Sequence, residues 1–501
     1  MPWHATARRT TSKPRAVSST VIILTLALYV ALLFVVAWRT SRNVDAETFF
    51  TGGRSTPRVV AAIAMVGAAM SGVTYISVPG SVATDGFSYL QTCLGFFVGY
   101  VIIAYVLIPL YYRLGVVSLY EYLDHRFGIV AHRTGAWFFF ISKIASASLR
   151  AYVICVVLQG LLYDIYDIPF AVNAAIMMTL VGLYTRRGGV RSVVWVEMLK
   201  TCIMVASIVL SILFVIKALD LDLGGAISAI YSSDYSKVLF LDDPLDGRYF
   251  WKQFLAGIFL VVAMTGLDQD MMQTMLSCRS RRDAQRGMMS SIMIQIIVIT
   301  LFLALGALLY IYVDGRSITI TRGDDLFGLV ATQCGLPTIV GVAFILGLVA
   351  STYSSAGSAL TALTTSFTLD ILGARRRGDG CNVERMRRWS HAIIAVAMTL
   401  IIIVFHHWST AGAITLIFTM ASYTYGPLLG LFIFGLATRR RPRSHAIPVV
   451  AITAPILSYI VASHSEAWLG GYTFSYDILI LNTAITLLGL WLVSLRRSIK
   501  A

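Results

Sequence analysis

The chain has 501 residues, of which 57% are hydrophobic and 13% charged, with a mean hydropathy of +0.77; a soluble protein of this size is about a quarter charged. That balance excludes a soluble enzyme or binding domain and calls for a lipid solvent. The net charge of +15 points to nucleic acid only where basic residues gather in a patch, and here they are dispersed among apolar runs.

Thirteen apolar runs are long enough to span a bilayer. In chain order they lie near 19–38, 58–82, 87–113, 132–163, 167–185, 191–218, 250–277, 285–312, 337–372, 389–406, 410–437, 445–464 and 476–495. Connections are short, so the chain reads as one all-α integral membrane domain. No run alternates in the manner of a β-barrel strand. A tail (1–18) precedes an extra first helix (19–38). A loop (219–249) separates two blocks of spans (58–218 and 250–437), and two further spans close the chain (445–495).

Basic residues sort by connection. One alternate set holds Arg39, Arg42, Arg54 and Arg58, then Arg113, Arg126 and Arg133, then Arg186, Arg187 and Arg191, then Arg279, Arg281, Arg282 and Arg286. It continues through Arg375–Arg377, Arg385, Arg387, Arg388, Arg439–Arg441, Arg443, Arg496, Arg497 and Lys500. The other set holds Lys217, Lys237, Arg248, Lys252, Arg316 and Arg322, beside Asp220, Asp222, Asp242, Asp243 and Asp246. The positive-inside rule then sets the N-terminus outside, the C-terminus in the cytoplasm and the 219–249 loop outside. The basic tail ARRTTSKPR (7–15) dissents. Read as a signal-peptide n-region it would be removed, but 19–38 is long for the apolar core and no A-x-A site follows, so a retained helix is expected.

Cys93, Cys155, Cys202, Cys278, Cys334 and Cys381 show no CxxC spacing and read as small apolar filler. Walker, GxSxG and HExxH motifs are absent, which removes ATP-driven transport and the simple enzyme classes. The chain is expected not to be an enzyme.

Each of the two large blocks contains five spans, and an odd number forces opposite topologies. That is the layout of an inverted-repeat secondary transporter, in which the first helix of each repeat is broken. The sequence offers a break in both places: GAAMSG (67–72) and MTGLDQD (264–270). The competing reading is close helix packing by small residues. A second signal is STYSSAGSALTALTTSFTLD (351–370), where Ser351, Ser354, Ser355 and Ser358 share one helix face. Lipid does not favour such a stripe, whereas a small hard cation does. The alternative is that these hydroxyls bond their own i−4 carbonyls.

Six segments carry a family resemblance: SGVTYISVPG (71–80) with SYLQ (88–91), SLYEYLDHRFG (118–128), GGVRSVVWVEMLK (188–200), GLDQDMMQ (266–273), SSAGSALTALTTSFTLD (354–370) and YGPLLGLFIFGL (425–436). Together, over about 50 to 440, they resemble the sodium:solute symporter family of sodium-coupled sugar, sialic acid, proline, iodide and monocarboxylate carriers. The resemblance implies a five-plus-five inverted repeat with extra helices in the cell inner (plasma) membrane. It implies sodium as the coupling ion and import of a small polar solute. A nucleic-acid or obligate protein partner is not expected.

Carried over by position, the family's sodium site falls on the carbonyls of Gly67 and Met70 and the hydroxyls of Ser351, Ser354 and Ser355. Some members hold another sodium on an Asp of the fifth core helix. That position is Glu197 here, with Ser358 as a further hydroxyl. Lys200 stands where the family has Gln and can pair with Glu197 at i+3, its ammonium then standing in for a second cation. Both readings remain open. For the solute, the resemblance implies Arg150 as a carboxylate ligand, as in the sialic acid carriers, with Thr74 and Gln91 completing the pocket.

Arg150 needs an acid partner in any reading, since an ionised Arg at mid-bilayer costs roughly 2.5–3.5 kcal/mol. Glu197 or Asp268 would serve, or the head could snorkel. Asp268 and Asp270 are expected to form gating salt bridges with Arg279, Arg281 and Arg282, and Glu121 to pair with Arg126. His125, His391, His406 and His407 read as interface residues at span ends. Three rivals stand beside the symporter: a proton-coupled carrier titrating Glu197 or Asp268, a sensor carrying output domains, and a membrane enzyme. The chain ends soon after the last span, which disfavours the sensor, and a nucleophile–base pair is lacking for the enzyme.

Overall fold

Long runs without acid or base form helices in lipid because only the chain itself can satisfy the backbone polar groups. The computed structural model describes residues 18–41, 46–316, 318–374, 382–408 and 413–495. The tail 7–15, Arg42, Arg375–Arg377, Cys381, Arg496, Arg497 and Lys500 lie outside the described residues. The architecture is nearly all helical, with one antiparallel pairing of Arg441–Pro442 against Ser494–Leu495. Among the described residues, nine helices are long and apolar enough to cross a membrane, and two bent pairs raise the number to as many as 11.

Helix α1 (Ser19–Thr40) leads into the first bent pair, α2 (Arg58–Ala69) and α3 (Gly72–Gly80). Then come α4 (Tyr89–Leu114) and α5 (Ile129–Leu161). Next are α6 (Phe170–Arg186) and α7 (Gly189–Ala218), which meet at a kink. The second bent pair is α8 (Phe250–Gly266) and α9 (Gln269–Leu276). The chain continues through α10 (Arg281–Asp314), α11 (Thr338–Ile371), α12 (Val383–His407), α13 (Ala413–Ala437), α14 (Ala446–Ser463) and α15 (Ile478–Leu492).

Both breaks fall where GAAMSG and MTGLDQD place them. Met70 (φ −107, ψ 123) and Ser71 (φ −107, ψ 175) are extended, and α3 restarts at a 61° angle to α2. Before the second break α8 widens into a π-turn over Val262–Gly266; after Leu267 and Asp268, α9 leaves at 68°. Breaking a helix frees carbonyls that lipid cannot satisfy. Two buried tyrosines take them at the second break: Tyr111 donates to Gly266 O at 3.0 Å and Tyr120 to Leu267 O at 3.0 Å. Gly189 makes the α6–α7 kink. Its φ of +51° suits glycine, and a Cβ there would stand 2.3 Å from the carbonyl oxygen of Phe49.

Helix α11 is the centre of the molecule. It packs along α7 and α5 and touches α3 and α9, so both breaks face it. Its hydroxyl stripe is therefore turned to protein, not lipid: Ser351, Ser354 and Ser358 are all at most 3% exposed. Among the described residues the cysteines at 93, 155, 202, 278 and 334 are free, and Cys202 is exposed.

Candidate cation and solute site

Many hydroxyls of α11 do bond their own turn: Ser351 Oγ donates to Leu348 O, Thr352 to Leu348 O, Thr361 to Gly357 O and Thr365 to Thr361 O. A hydroxyl so engaged keeps lone pairs for a cation. Ser354 departs from the pattern and donates across to Glu197 Oε1 on α7 at 2.6 Å.

Glu197 and Lys200 do pair. Lys200 Nζ stands 2.8 Å from Glu197 Oε2, an ionic contact not aligned as a hydrogen bond, and donates to Ser355 Oγ at 3.0 Å. Ser355 Oγ in turn donates to Ser351 O at 2.7 Å. Both charges are out of solvent, Lys200 at 0% and Glu197 at 1% exposure. The first break lies against them: a Cβ on Gly67 would be 2.7 Å from the Glu197 carbonyl oxygen and 3.0 Å from its Oε2. The Gly67 carbonyl accepts from Met70 N–H at 3.1 Å, while that of Met70 accepts no hydrogen bond among the described residues. Gly67, Met70, Ser351, Ser354 and Ser355 thus belong to one neighbourhood, and the Glu197–Lys200 pair engages the last two.

Ser358 does not join Glu197. Its Oγ lies 3.1 Å from Ser355 O and 3.3 Å from Asp270 Oδ2 at the second break. There the expected gating bridges to Arg279, Arg281 and Arg282 are replaced by a buried cluster. Lys143 on α5 reaches Asp268 Oδ2 at 3.0 Å and Asp270 Oδ2 at 2.7 Å. Tyr425 OH donates to Asp268 at 2.6 Å, and Asp268 Oδ1 caps α9 through Asp270 N–H at 2.9 Å. The arginines cannot reach these acids because α9 carries the acids inward while Arg279–Arg282 follow its far end. Sequence reading missed this triad. An intramembrane Lys with two intramembrane acids was the available signal, but their separation by 125 residues hid the pairing.

A cavity with an empty volume of about 850 Å³ opens beside the first break, bordered by Thr74, Lys143, Arg150, Asp268 and Tyr425. A smaller one, about 280 Å³, runs from the break to α11 and is bordered by Ser351 and Ser355. Ser71 and Arg150 line both. Arg150 has no carboxylate within 4.0 Å among the described residues, so neither Glu197 nor Asp268 is its partner. Thr74 borders the larger cavity and accepts from Ser71 N–H at 3.3 Å.

Gln91 is corrected. It is fully buried and ties down the 219–249 loop, donating to Arg248 O at 2.8 Å and accepting from Phe240 N–H at 3.1 Å. It borders neither cavity, because that loop folds back onto the start of α4. In the same loop Arg248 hydrogen-bonds Asp246 and holds its carboxyl below the usual range. Arg126 donates to the carbonyls of Gly435, Thr438 and Arg440. His391 is buried, not interfacial, between Thr185 (3.1 Å) and Thr364 (3.2 Å).

The human sodium/iodide cotransporter is 24% identical over 404 residues, covering 78% of this chain and 61% of that protein. The sodium/sialic acid symporter SiaT of Proteus mirabilis is 21% identical over 463 residues, 87% of this chain and 88% of its own. A solved Na+-coupled sialic acid symporter, in a substrate-bound outward-open state, superposes with a TM-score of 0.79 at 19% identity, covering 94% of this chain and 97% of that one. That likeness is one of fold. The sodium:solute symporter family model matches residues 49–450, and the chain belongs to that family.

Proposed function

We propose that this protein is a sodium-coupled symporter of the cell inner (plasma) membrane that imports a small carboxylate-bearing solute by alternating access. The observation that carries the solute class is Arg150. It borders the large cavity with no acid among the described residues within ion-pair distance, while Lys143 in the same cavity is matched by two carboxylates. A guanidinium presents a planar fork of donors suited to a carboxylate. An anionic solute would supply the partner the fold withholds.

Sodium would enter beside the first break, held by the carbonyls of Gly67 and Met70 and the hydroxyls of Ser351, Ser354 and Ser355. Five uncharged oxygens suit a hard cation. Sodium there would bind α2 and α3 to α11, and solute would bind the same break through Thr74 and Arg150. Each ligand then favours the state the other needs, which is coupling by differential binding. One sodium carries a charge inward worth about 2.3 kcal/mol per 100 mV, which a univalent carboxylate moving with it cancels, so the sodium concentration gradient supplies the drive.

The two bent pairs support an inverted repeat of 58–218 and 250–437, each opening on its broken helix. With α6 and α15 crossing as well, the spans reach thirteen, the N-terminus outside and the C-terminus cytoplasmic. The test is uptake by proteoliposomes from a panel of neutral sugars, sialic acid, monocarboxylates and amino acids. The acids should be taken up and the neutral sugars refused; a neutral sugar as the best solute would remove the carboxylate reading.

A further inference from the structure

Lys200 is a cation the protein carries with it, and its surroundings are those a free cation would seek. Its ammonium touches one carboxylate, Glu197, and one hydroxyl, Ser355, and a second hydroxyl, Ser354, completes the coordination of the same carboxylate. Lys200, Glu197 and Ser354 are buried, the first two almost completely, and Ser355 is half-buried. The broken helix closes the remaining side, since the Gly67 position leaves no room even for a methyl group before meeting Glu197. A carboxylate and serine hydroxyls between two packed helices make a site for a hard cation. Here one negative charge is already matched by one positive charge.

We infer that the Lys200 ammonium is a tethered occupant of a second cation position between α7 and α11, so that this carrier binds one sodium fewer than the same scaffold would with a neutral residue at 200. The inference rests on the reading that sodium enters beside the first break. An ammonium on a helix cannot dissociate into the cytoplasm, so it draws nothing from the sodium gradient. It holds Glu197 neutralised through every stage of the cycle, and a second sodium seeking the Glu197 carboxylate meets a like charge already 2.8 Å from it. With a univalent carboxylate as solute, one sodium makes the cycle electrically silent, whereas two would move a net charge.

The experiment counts saturable 22Na+ bound per chain on the purified full-length protein, with sodium alone and no solute. Lys200→Ala should bind one sodium more than the wild type, because the Glu197 carboxylate then has no cation beside it. The Glu197→Gln/Lys200→Met double variant should bind the wild-type number. A monodisperse Lys200→Ala that binds the wild-type number overturns the inference. Should Lys200→Ala not fold, Lys200→Ser takes its place, and the wild-type count also decides: one sodium upholds the inference and two overturn it. No saturable sodium on the wild type removes the sodium-coupled reading instead, and the difference of one between wild type and Lys200→Ala still judges Lys200.

Discussion

Neutralising one member of the Glu197–Lys200 pair should harm the protein more than neutralising both. The pair is separated by 2.8 Å with both side chains at most 1% exposed. At an effective dielectric of about 20, the attraction at that separation is roughly 6 kcal/mol. Against it stands the desolvation of two ions, several kcal/mol each. Glu197→Gln leaves the ammonium with Ser355 alone, and Lys200→Met leaves the carboxylate with Ser354 alone. Each single change should cost about 3–5 kcal/mol. Glu197→Gln/Lys200→Met removes both charges at nearly constant volume and should fall within about 1 kcal/mol of the parent. The unfolding entropy is roughly 2.1 cal/mol/K per residue, so each single variant should lose a few degrees of melting temperature. The assay is thermal denaturation of the four purified proteins in one detergent, with membrane expression beside it. Losses that add in the double variant would refute the pairing and return Glu197 to service as a cation ligand.

Arg150→Lys keeps the charge but loses the bidentate fork, so it should raise the solute KM about tenfold with little change in sodium affinity; unchanged kinetics would make Arg150 a structural residue. Ser354→Ala or Ser355→Ala removes one of about five oxygens and should weaken apparent sodium affinity at least ~10-fold, read from the sodium dependence of uptake. An unaltered dependence in both would sink the assignment. Gly67→Ala sets a Cβ 2.3 Å from Thr201 Oγ1 and 2.7 Å from a backbone oxygen, which packed helices cannot relieve; sodium-dependent uptake should vanish, and an active variant would show the break to be looser than described. Gln91→Ala should leave the solute KM near the parent value while speeding proteolysis of the 219–249 loop, whose hydrogen bonds it removes; a raised KM would return Gln91 to the pocket.

What could be read from the chain was local. The breaks announce themselves because small and polar residues interrupt apolar runs, and a helix cannot hide such a run in lipid. Glu197 and Lys200 lie three residues apart, so helix geometry alone brings them together. The stripe on α11 has a helical period for the same reason. Partnerships across the fold were not legible. Nothing local says that α9 turns Asp268 and Asp270 toward Lys143 rather than toward Arg279–Arg282. Gln91 looked like a pocket residue because its motif borders the first break; the loop that claims its amide begins more than a hundred residues later. His132 and Asp370, 2.9 Å apart with Ser118 and Ser366 on the same carboxylate, went unremarked for the same reason.

The central claim is that sodium drives a carboxylate solute through this fold. Its most direct test is concentrative uptake of labelled sialic acid, lactate and pyruvate into proteoliposomes under an inward sodium gradient, against an equal potassium gradient at the same membrane potential. The account predicts accumulation of at least one of these acids above equilibrium with sodium and none with potassium. Accumulation that is equal under both gradients would contradict it.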